Sequence, residues 1–109
     1  MAVDVLVTGA AGALGQQIVS NLRSNGYSVF ATGRTHSKGM DGVWDISAQK
    51  EPDLECRPEM VVHAAARTGG YQEYLDDTSS WIDVNVTGTL RVARWCADHG
   101  VKKLLITSG

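Results

Sequence analysis

The sequence is short of cysteine and of long apolar runs, and each shortage excludes some classes of protein. Its two cysteines, Cys56 and Cys96, form no Cys-x-x-Cys or Cys/His ligand pattern, so we interpret them as reduced structural thiols and expect no metal site. No apolar run approaches the ~20 residues that span a bilayer. Met1 is followed within two residues by an apolar run of β type, which leaves no room for a signal peptide. We therefore expect a cytoplasmic protein without membrane contact.

Net charge is also small. Ten basic and twelve acidic residues among 109 give a formal net charge of -2. A chain with this balance has no general attraction for nucleic acid or for an anionic membrane surface. The hydrophobic share of 43% is ordinary for a globular protein. We therefore expect one folded domain over residues 1–109, in which any anion site must be local.

Hydrophobic periodicity alternates between strand and helix patterns. Strands are predicted at Val3–Thr8, Tyr27–Thr32, Val43–Ile46 and Glu59–Ala66, with a fifth in segment 101–109. Between them we predict a helix from Leu14 to a stop at Gly26, a weak helical or irregular piece at Pro52–Arg57, and one long helix. The long helix is expected to face the sheet with Ile82, Val86, Leu90, Ala93 and Ala97, leaving Val92, Trp95 and Cys96 as a second apolar patch. This alternation predicts a doubly wound parallel α/β sheet of order 3-2-1-4-5.

Three glycines, Gly9, Gly12 and Gly15, lie between the first strand and the first helix. A tight turn, a backbone that approaches a diphosphate, and a helix packed close to its sheet each exclude a Cβ atom. The free N–H groups and the dipole at the helix start then form an anion site without any lysine. No Gly-Lys-Ser/Thr follows, which excludes a P-loop. The segment predicts a dinucleotide-diphosphate site, with a ligand-free glycine turn as the alternative.

Five separated segments carry a resemblance to a known family. They are TGAAGALG at 8–15, DI at 45–46, VVHAAA at 61–66, NVTGT at 85–89 and LLITSG at the end of the sequence. On these motifs the whole chain resembles the extended short-chain dehydrogenase/reductase superfamily, in particular its NAD(P)-dependent epimerase/dehydratase family. The resemblance implies a Rossmann domain that is the N-terminal fragment of a larger enzyme, truncated after the fifth strand. It also implies a substrate such as a nucleotide sugar, and a homodimer in the full-length protein.

The resemblance implies which residues contact the cofactor. Asp45 would accept a hydrogen bond from the adenine amino group beside Ile46, although an aspartate here can also simply cap a turn. Small side chains at Ala64–Ala66 would let the ribose and nicotinamide approach the backbone. Asn85 is expected to fix neighbouring backbone, and His63 to support the strand end rather than act as acid or base. The expected cofactor-binding residues are Gly9, Ala11, Gly12, Ala13, Leu14, Gly15, Arg34, Asp45, Ile46, Ala64, Ala65, Ala66 and Asn85.

The end of the second predicted strand bears on the choice of dinucleotide. An acidic residue there usually binds the ribose hydroxyls of NAD. This chain instead has Gly33 followed by Arg34, and an arginine offers a planar fork for a phosphate. We therefore expect NADP in preference to NAD, although Arg34 could also be a solvated loop cation.

The catalytic residues of the resembling family are largely missing. That family uses a serine or threonine after the fifth strand and a Tyr-x-x-x-Lys on the next helix. Tyr27, Tyr71 and Tyr74 are followed four places on by Ala31, Leu75 and Thr78, so the sequence has no Tyr-x-x-x-Lys. Ser108 is the one weak catalytic candidate. We expect the 109-residue chain to be inactive by itself.

Three alternatives stay open on the sequence. A non-catalytic relative could sense NADP with the same glycine loop. A methyltransferase would also use a glycine-rich turn, but it usually wants an acidic residue after the second strand, where Gly33 and Arg34 lie. A purely structural interaction module would bind no nucleotide.

Overall fold

The computed structural model describes residues 1–67 and 71–107, and a five-stranded parallel sheet forms its centre. The strands are β1 (Ala2–Thr8), β2 (Val29–Gly33), β3 (Gly42–Val43), β4 (Arg57–His63) and β5 (Lys103–Ile106). Their order is β3-β2-β1-β4-β5, and every pairing is parallel. The predicted doubly wound sheet of order 3-2-1-4-5 is therefore confirmed.

Among residues 1–67 and 71–107, four helices and one π-turn lie between these strands. Helix α1 (Ala13–Ser24) joins β1 to β2, and α2 (Tyr71–Asp76), α3 (Thr78–Ile82), the π-turn (Asp83–Thr87) and α4 (Gly88–Asp98) follow β4. The long helix expected after β4 is thus divided into segments. Residues 52–56 of the predicted Pro52–Arg57 piece are irregular, whereas Arg57 begins β4. The third strand is shorter than predicted, because it ends at Val43, although the Trp44 N–H still donates to the Gly33 carbonyl at 2.9 Å.

Within the described residues, no helix is both long and apolar enough to cross a membrane.

Two hydrophobic clusters cover the two faces of the sheet. The first contains Leu6, Phe30, Val61 and the α4 residues Val92 and Trp95. The second is built from the other face of β1 and β2 and from α1, and contains Val5, Val7, Val19, Ala31 and Val62. Because successive residues of a strand point to opposite faces, Leu6 contributes to one cluster and its neighbours to the other. The cores lie on both sides of β1 and β4, and they hold the ends of these strands in place.

The predicted inward face of α4 is wrong. Leu90 is 65% exposed and Val86 is 55% exposed, whereas Val92, Trp95 and Cys96, the predicted second patch, are buried. The buried face includes Trp95, whose ring centroid lies 5.1 Å from that of Trp44. The packing of these two indole rings explains why this face lies inward. Ile82, Val86 and Leu90 instead form an exposed apolar row, which we call the outer row.

Candidate functional site

A cleft of about 510 Å³ opens at the carboxyl ends of β1, β2 and β4. This is where the crossovers change direction between β1 and β4, and open α/β sheets bind their ligands at such switch points. Nine of the predicted cofactor-binding residues line the cleft: Gly9, Ala11, Gly12, Arg34, Asp45, Ile46, Ala64, Ala65 and Ala66. The topology therefore brings together residues that are far apart in sequence.

The three glycines of the β1–α1 turn have different surroundings. Gly9 has a φ of 64°, and a Cβ there would lie 2.5 Å from the Cα of Ala65. A Cβ on Gly15 would overlap the carbonyl oxygen of Gly9 and lie 2.8 Å from the Cα of Ala10. These two glycines are required by the protein's own packing.

Gly12 differs from the other two because the protein does not require it. Its φ of -75° and ψ of 167° suit any residue, and the nearest atom to an added Cβ is the Gly9 carbonyl oxygen at 3.5 Å. The space beside it is the cleft itself.

The N-terminus of α1 adjoins this space. Gly12 is the N-cap residue, and no side chain makes a capping hydrogen bond there. The N–H groups of the first helical turn have no partner within the helix, and the helix dipole places partial positive charge at that end. A bound anion beside Gly12 would satisfy these donors.

Gly33 and Arg34 form the end of the cleft beyond β2. Gly33 is buried and Arg34 is exposed. A Cβ on Gly33 would lie 3.2 Å from the Cγ and Sδ atoms of Met40, which leaves little room for a larger side chain. Arg34 therefore follows the strand end as a cation beside the cleft.

Asp45 and Ile46 line the cleft from the loop after β3. The Oδ1 atom of Asp45 accepts hydrogen bonds from the Ser47 backbone N–H at 3.1 Å and from the Ser47 hydroxyl at 2.6 Å. The aspartate thus caps its own turn while it lines the cleft. Ile46 is only 4% exposed, and its Cδ1 atom would lie 2.9 Å from a Cβ on Gly88, so Gly88 permits this contact.

Residues Ala64–Arg67, which we call the β4 wall, follow the end of β4 and line the cleft. The amide side chain of Asn85 holds the end of this wall, since its Oδ1 accepts from the Arg67 N–H at 2.8 Å and its Nδ2 donates to the Arg67 carbonyl at 3.0 Å. The Arg67 guanidinium contacts Asp77 at 3.2 Å and the Ser80 hydroxyl. These bonds connect the wall to α3 and the π-turn.

His63 lies beneath the wall and does not line the cleft. It is 3% exposed, its Nδ1 lies 2.7 Å from Thr8 Oγ1, and its Nε2 lies 3.1 Å from Thr89 Oγ1. Burial lowers the pKa of the imidazole because desolvation disfavours the charged form. The position of His63 is that of a support for the strand end.

Four predicted residues are not in the lining of the cleft: Ala13, Leu14, Gly15 and Asn85. The first three form the start of α1, directly after the lining residue Gly12, and Asn85 binds the backbone of Arg67. Ser108 and the loop at 68–70 lie outside the residues that the structure describes.

Five lining residues lie outside the predicted cofactor-binding set: Gly33, which the sequence marks only as the end of the second strand, and Trp44, Arg67, Ser80 and Val84. Trp44 precedes Asp45 and Arg67 follows Ala66, so adjacency to a predicted site residue was the available signal. Ser80 and Val84 are four residues apart and precede Asn85, so they share one side of the helical segment. The sequence predicted α3, the π-turn and α4 as one helix, so it did not identify the side that carries Ser80 and Val84.

The two cysteines belong to the core and not to the cleft. Cys56 and Cys96 are both 5% exposed, and burial raises the pKa of Cys96 to about 11. Desolvation also raises the pKa of Cys56. Neither thiol has the low pKa of a nucleophile. Among residues 1–67 and 71–107, no three His, Cys, Asp or Glu side chains are grouped to hold a metal ion.

Comparison with known proteins identifies the family of this chain. Residues 5–109 match the model of the NAD dependent epimerase/dehydratase family. The chain belongs to this family, and the predicted resemblance is confirmed.

Three relatives illustrate the match. A UDP-glucose 4-epimerase from Mycolicibacterium smegmatis is 34% identical over 94% of this chain and 37% of that protein. A 2-alkyl-3-oxoalkanoate reductase from Stenotrophomonas maltophilia is 32% identical over 95% of this chain and 32% of that protein. A solved structure of MoeE5 in complex with UDP-glucose and NAD has a TM-score of 0.78 and 28% identity, covering 97% of this chain and 36% of that one. The chain thus spans about a third of the length of these relatives.

Proposed function

We propose that this chain is the dinucleotide-binding part of an NAD(P)-dependent enzyme that oxidises or reduces a hydroxyl or carbonyl substrate, such as a nucleotide sugar. The observation that carries the proposal is Gly12, which lies at an uncapped helix N-terminus with open space where its side chain would be. A residue that the fold does not require to be glycine is explained by a ligand that needs the space. The relatives named as an epimerase and a reductase support the reaction class.

The residues of the cleft suit the parts of a dinucleotide in order. The first turn of α1, from Ala13 to Gly15, would bind the diphosphate through backbone N–H groups. Asp45 and Ile46 would contact the adenine, and the small side chains of the β4 wall would leave room for the nicotinamide end. When bound, the cofactor supplies hydride transfer. The chain's own residues bind it and orient it.

NADP is the dinucleotide that we propose. Arg34 is an exposed cation at the end of β2, and Gly33 occupies the place of an acidic residue that would bind the ribose hydroxyls. An arginine fork pairs with a phosphate more strongly than a neutral donor does. MoeE5 was solved with NAD. The proposed preference for NADP therefore rests on Gly33 and Arg34 of this chain and not on that relative.

The chain by itself is proposed to bind the cofactor without turnover. The sequence has no Tyr-x-x-x-Lys pair to act as acid and base. Ser108 remains a weak catalytic candidate that would need such partners. The outer row on α3, the π-turn and α4 is proposed as the surface through which the full-length protein forms a homodimer.

Comparative titration tests the cofactor proposal. Isothermal calorimetry with NADPH and NADH should give tighter binding of NADPH by wild type. Arg34→Ala should lose up to about 2–3 kcal/mol for NADPH, the range of a hydrogen bond to a charged group, and little for NADH. Lys50→Ala is the matched control, because it removes a cation that does not line the cleft. Equal affinities for the two dinucleotides in wild type and in Arg34→Ala would reject the preference.

A further inference from the structure

Thr8 and His63 form a buried hydrogen-bonded chain beneath the β4 wall. Thr8 is 0% exposed, and its Oγ1 lies 3.1 Å from the Ala64 N–H nitrogen and 3.2 Å from that of Ala65. A hydroxyl has two lone pairs and one hydrogen. Because the two N–H groups occupy both lone pairs, the hydroxyl hydrogen is donated to His63 Nδ1, 2.7 Å away.

The other ring nitrogen has an equally defined partner. His63 Nε2 lies 3.1 Å from Thr89 Oγ1, and that hydroxyl donates its own hydrogen to the Asn85 carbonyl at 2.8 Å. Thr89 can therefore only accept from His63. The direction of each hydrogen bond from Thr8 through His63 and Thr89 to Asn85 is then fixed. The His63 ring therefore carries its proton on Nε2 alone.

This series of hydrogen bonds holds both ends of the β4 wall. Thr8 binds the first two amides of the wall, and Asn85, whose carbonyl ends the chain, binds the backbone of Arg67 through its side chain. Thr8 is also the neighbour of Gly9, and a Cβ on Gly9 would lie 2.5 Å from the Cα of Ala65. The glycine turn and the wall are thus in backbone contact, so a small shift of the wall changes the cleft.

We propose that Thr8 and His63 are positioning residues for the cofactor, which hold the Ala64–Ala65 backbone against the glycine turn through the neutral Nε2–H form of the ring. This inference rests on the proposed dinucleotide site. Neither side chain touches the ligand, because both lie beneath the backbone that lines the cleft.

Substitutions of Thr8 test the role of the hydroxyl. Thr8→Val has nearly the same shape but leaves two amides and the ring nitrogen without a partner, whereas Thr8→Ser keeps the hydroxyl. The binding constant for NADPH should weaken by about tenfold in Thr8→Val and change less than about threefold in Thr8→Ser. The affinity for 2′,5′-ADP should change little in either variant, because this fragment lacks the part that reaches the wall.

A loss of general stability would weaken the binding of both ligands alike, so equal losses for NADPH and 2′,5′-ADP would overturn the proposal. Unchanged NADPH affinity in a folded Thr8→Val would also overturn it. If wild type binds neither ligand, the proposed dinucleotide site itself is wrong. If wild type binds NADPH and Thr8→Val binds it equally well, only the role of Thr8 is wrong.

A measurement on wild type needs no substitution and decides the matter should Thr8→Val fail to fold. The ¹⁵N spectrum of the His63 ring at neutral pH should show a protonated Nε2 and a bare Nδ1, and the Ala64 and Ala65 amides should be protected from hydrogen exchange. A ring protonated on Nδ1, or unprotected amides, would contradict the proposal.

Discussion

Gly9 and Ala65 are in backbone contact: a Cβ on Gly9 would lie 2.5 Å from the Cα of Ala65 and 2.6 Å from its nitrogen. This contact joins the turn after β1 to the wall after β4. The positive φ of Gly9, 64°, also lies in the region that favours glycine. Two strands that are far apart in sequence thereby form one cleft.

Gly15→Ala should destabilise the fold. Its Cβ would overlap the Gly9 carbonyl oxygen, so α1 must move away from the turn. Overpacking of this kind costs about 1–3 kcal/mol of unfolding free energy. Denaturant unfolding of wild type and Gly15→Ala measures the difference. Gly12→Ala is the matched control, since its Cβ meets nothing closer than 3.5 Å and its loss should be smaller. Equal stabilities of Gly15→Ala and wild type would contradict this account of the turn.

His63 makes stability depend on pH. Burial lowers its pKa below the ordinary value of 6.5, so at mildly acidic pH the unfolded state binds more protons than the folded state. The contribution is fully present above about pH 6.5 and declines as pH falls toward the lowered pKa of the folded state. Melting temperatures of wild type and His63→Gln should therefore fall on acidification, with a smaller fall in the variant. Parallel profiles for the two proteins would show that His63 does not control this dependence.

The outer row should drive self-association. Leu90 in α4 is 65% exposed and Val86 in the π-turn is 55% exposed, and a continuous row of exposed apolar side chains favours a partner surface. Leu90→Glu should shift the chain toward monomer in light scattering, without loss of its circular dichroism. Leu75→Glu, a change at another exposed leucine, on α2 and outside the outer row, should have less effect. An unfolded Leu90→Glu, or association unchanged from wild type, would contradict this expectation.

The sequence predicted the elements whose pattern is local. The apolar run of β1, the glycines and the periodicity of α1 follow one another directly, so strand, turn and helix were all found, and the sheet order followed from their alternation. The face of α4 could not be found in this way. That helix has apolar residues on two sides, and the choice depends on Trp95 packing against Trp44, a contact between distant segments.

The residues of the candidate site were likewise predictable only where the sequence pattern is local. Gly12 and Arg34, two of the predicted cofactor-binding residues, line the cleft, and each could be found because it belongs to a recognisable strand end or turn. Ser80 and Val84 could not be assigned, because the sequence predicted one long helix where the structure has α3, the π-turn and α4. No local pattern in the sequence marks that turn.

Titration of NADPH into wild type and Gly12→Val, with circular dichroism on both, tests most directly whether the cleft binds a dinucleotide. The backbone at Gly12 is extended and the space around it is open, so valine should leave the fold intact. Its methyl groups would occupy the place of the diphosphate. The account predicts a folded Gly12→Val that no longer binds NADPH while wild type does. Undiminished binding by the folded variant would contradict the account.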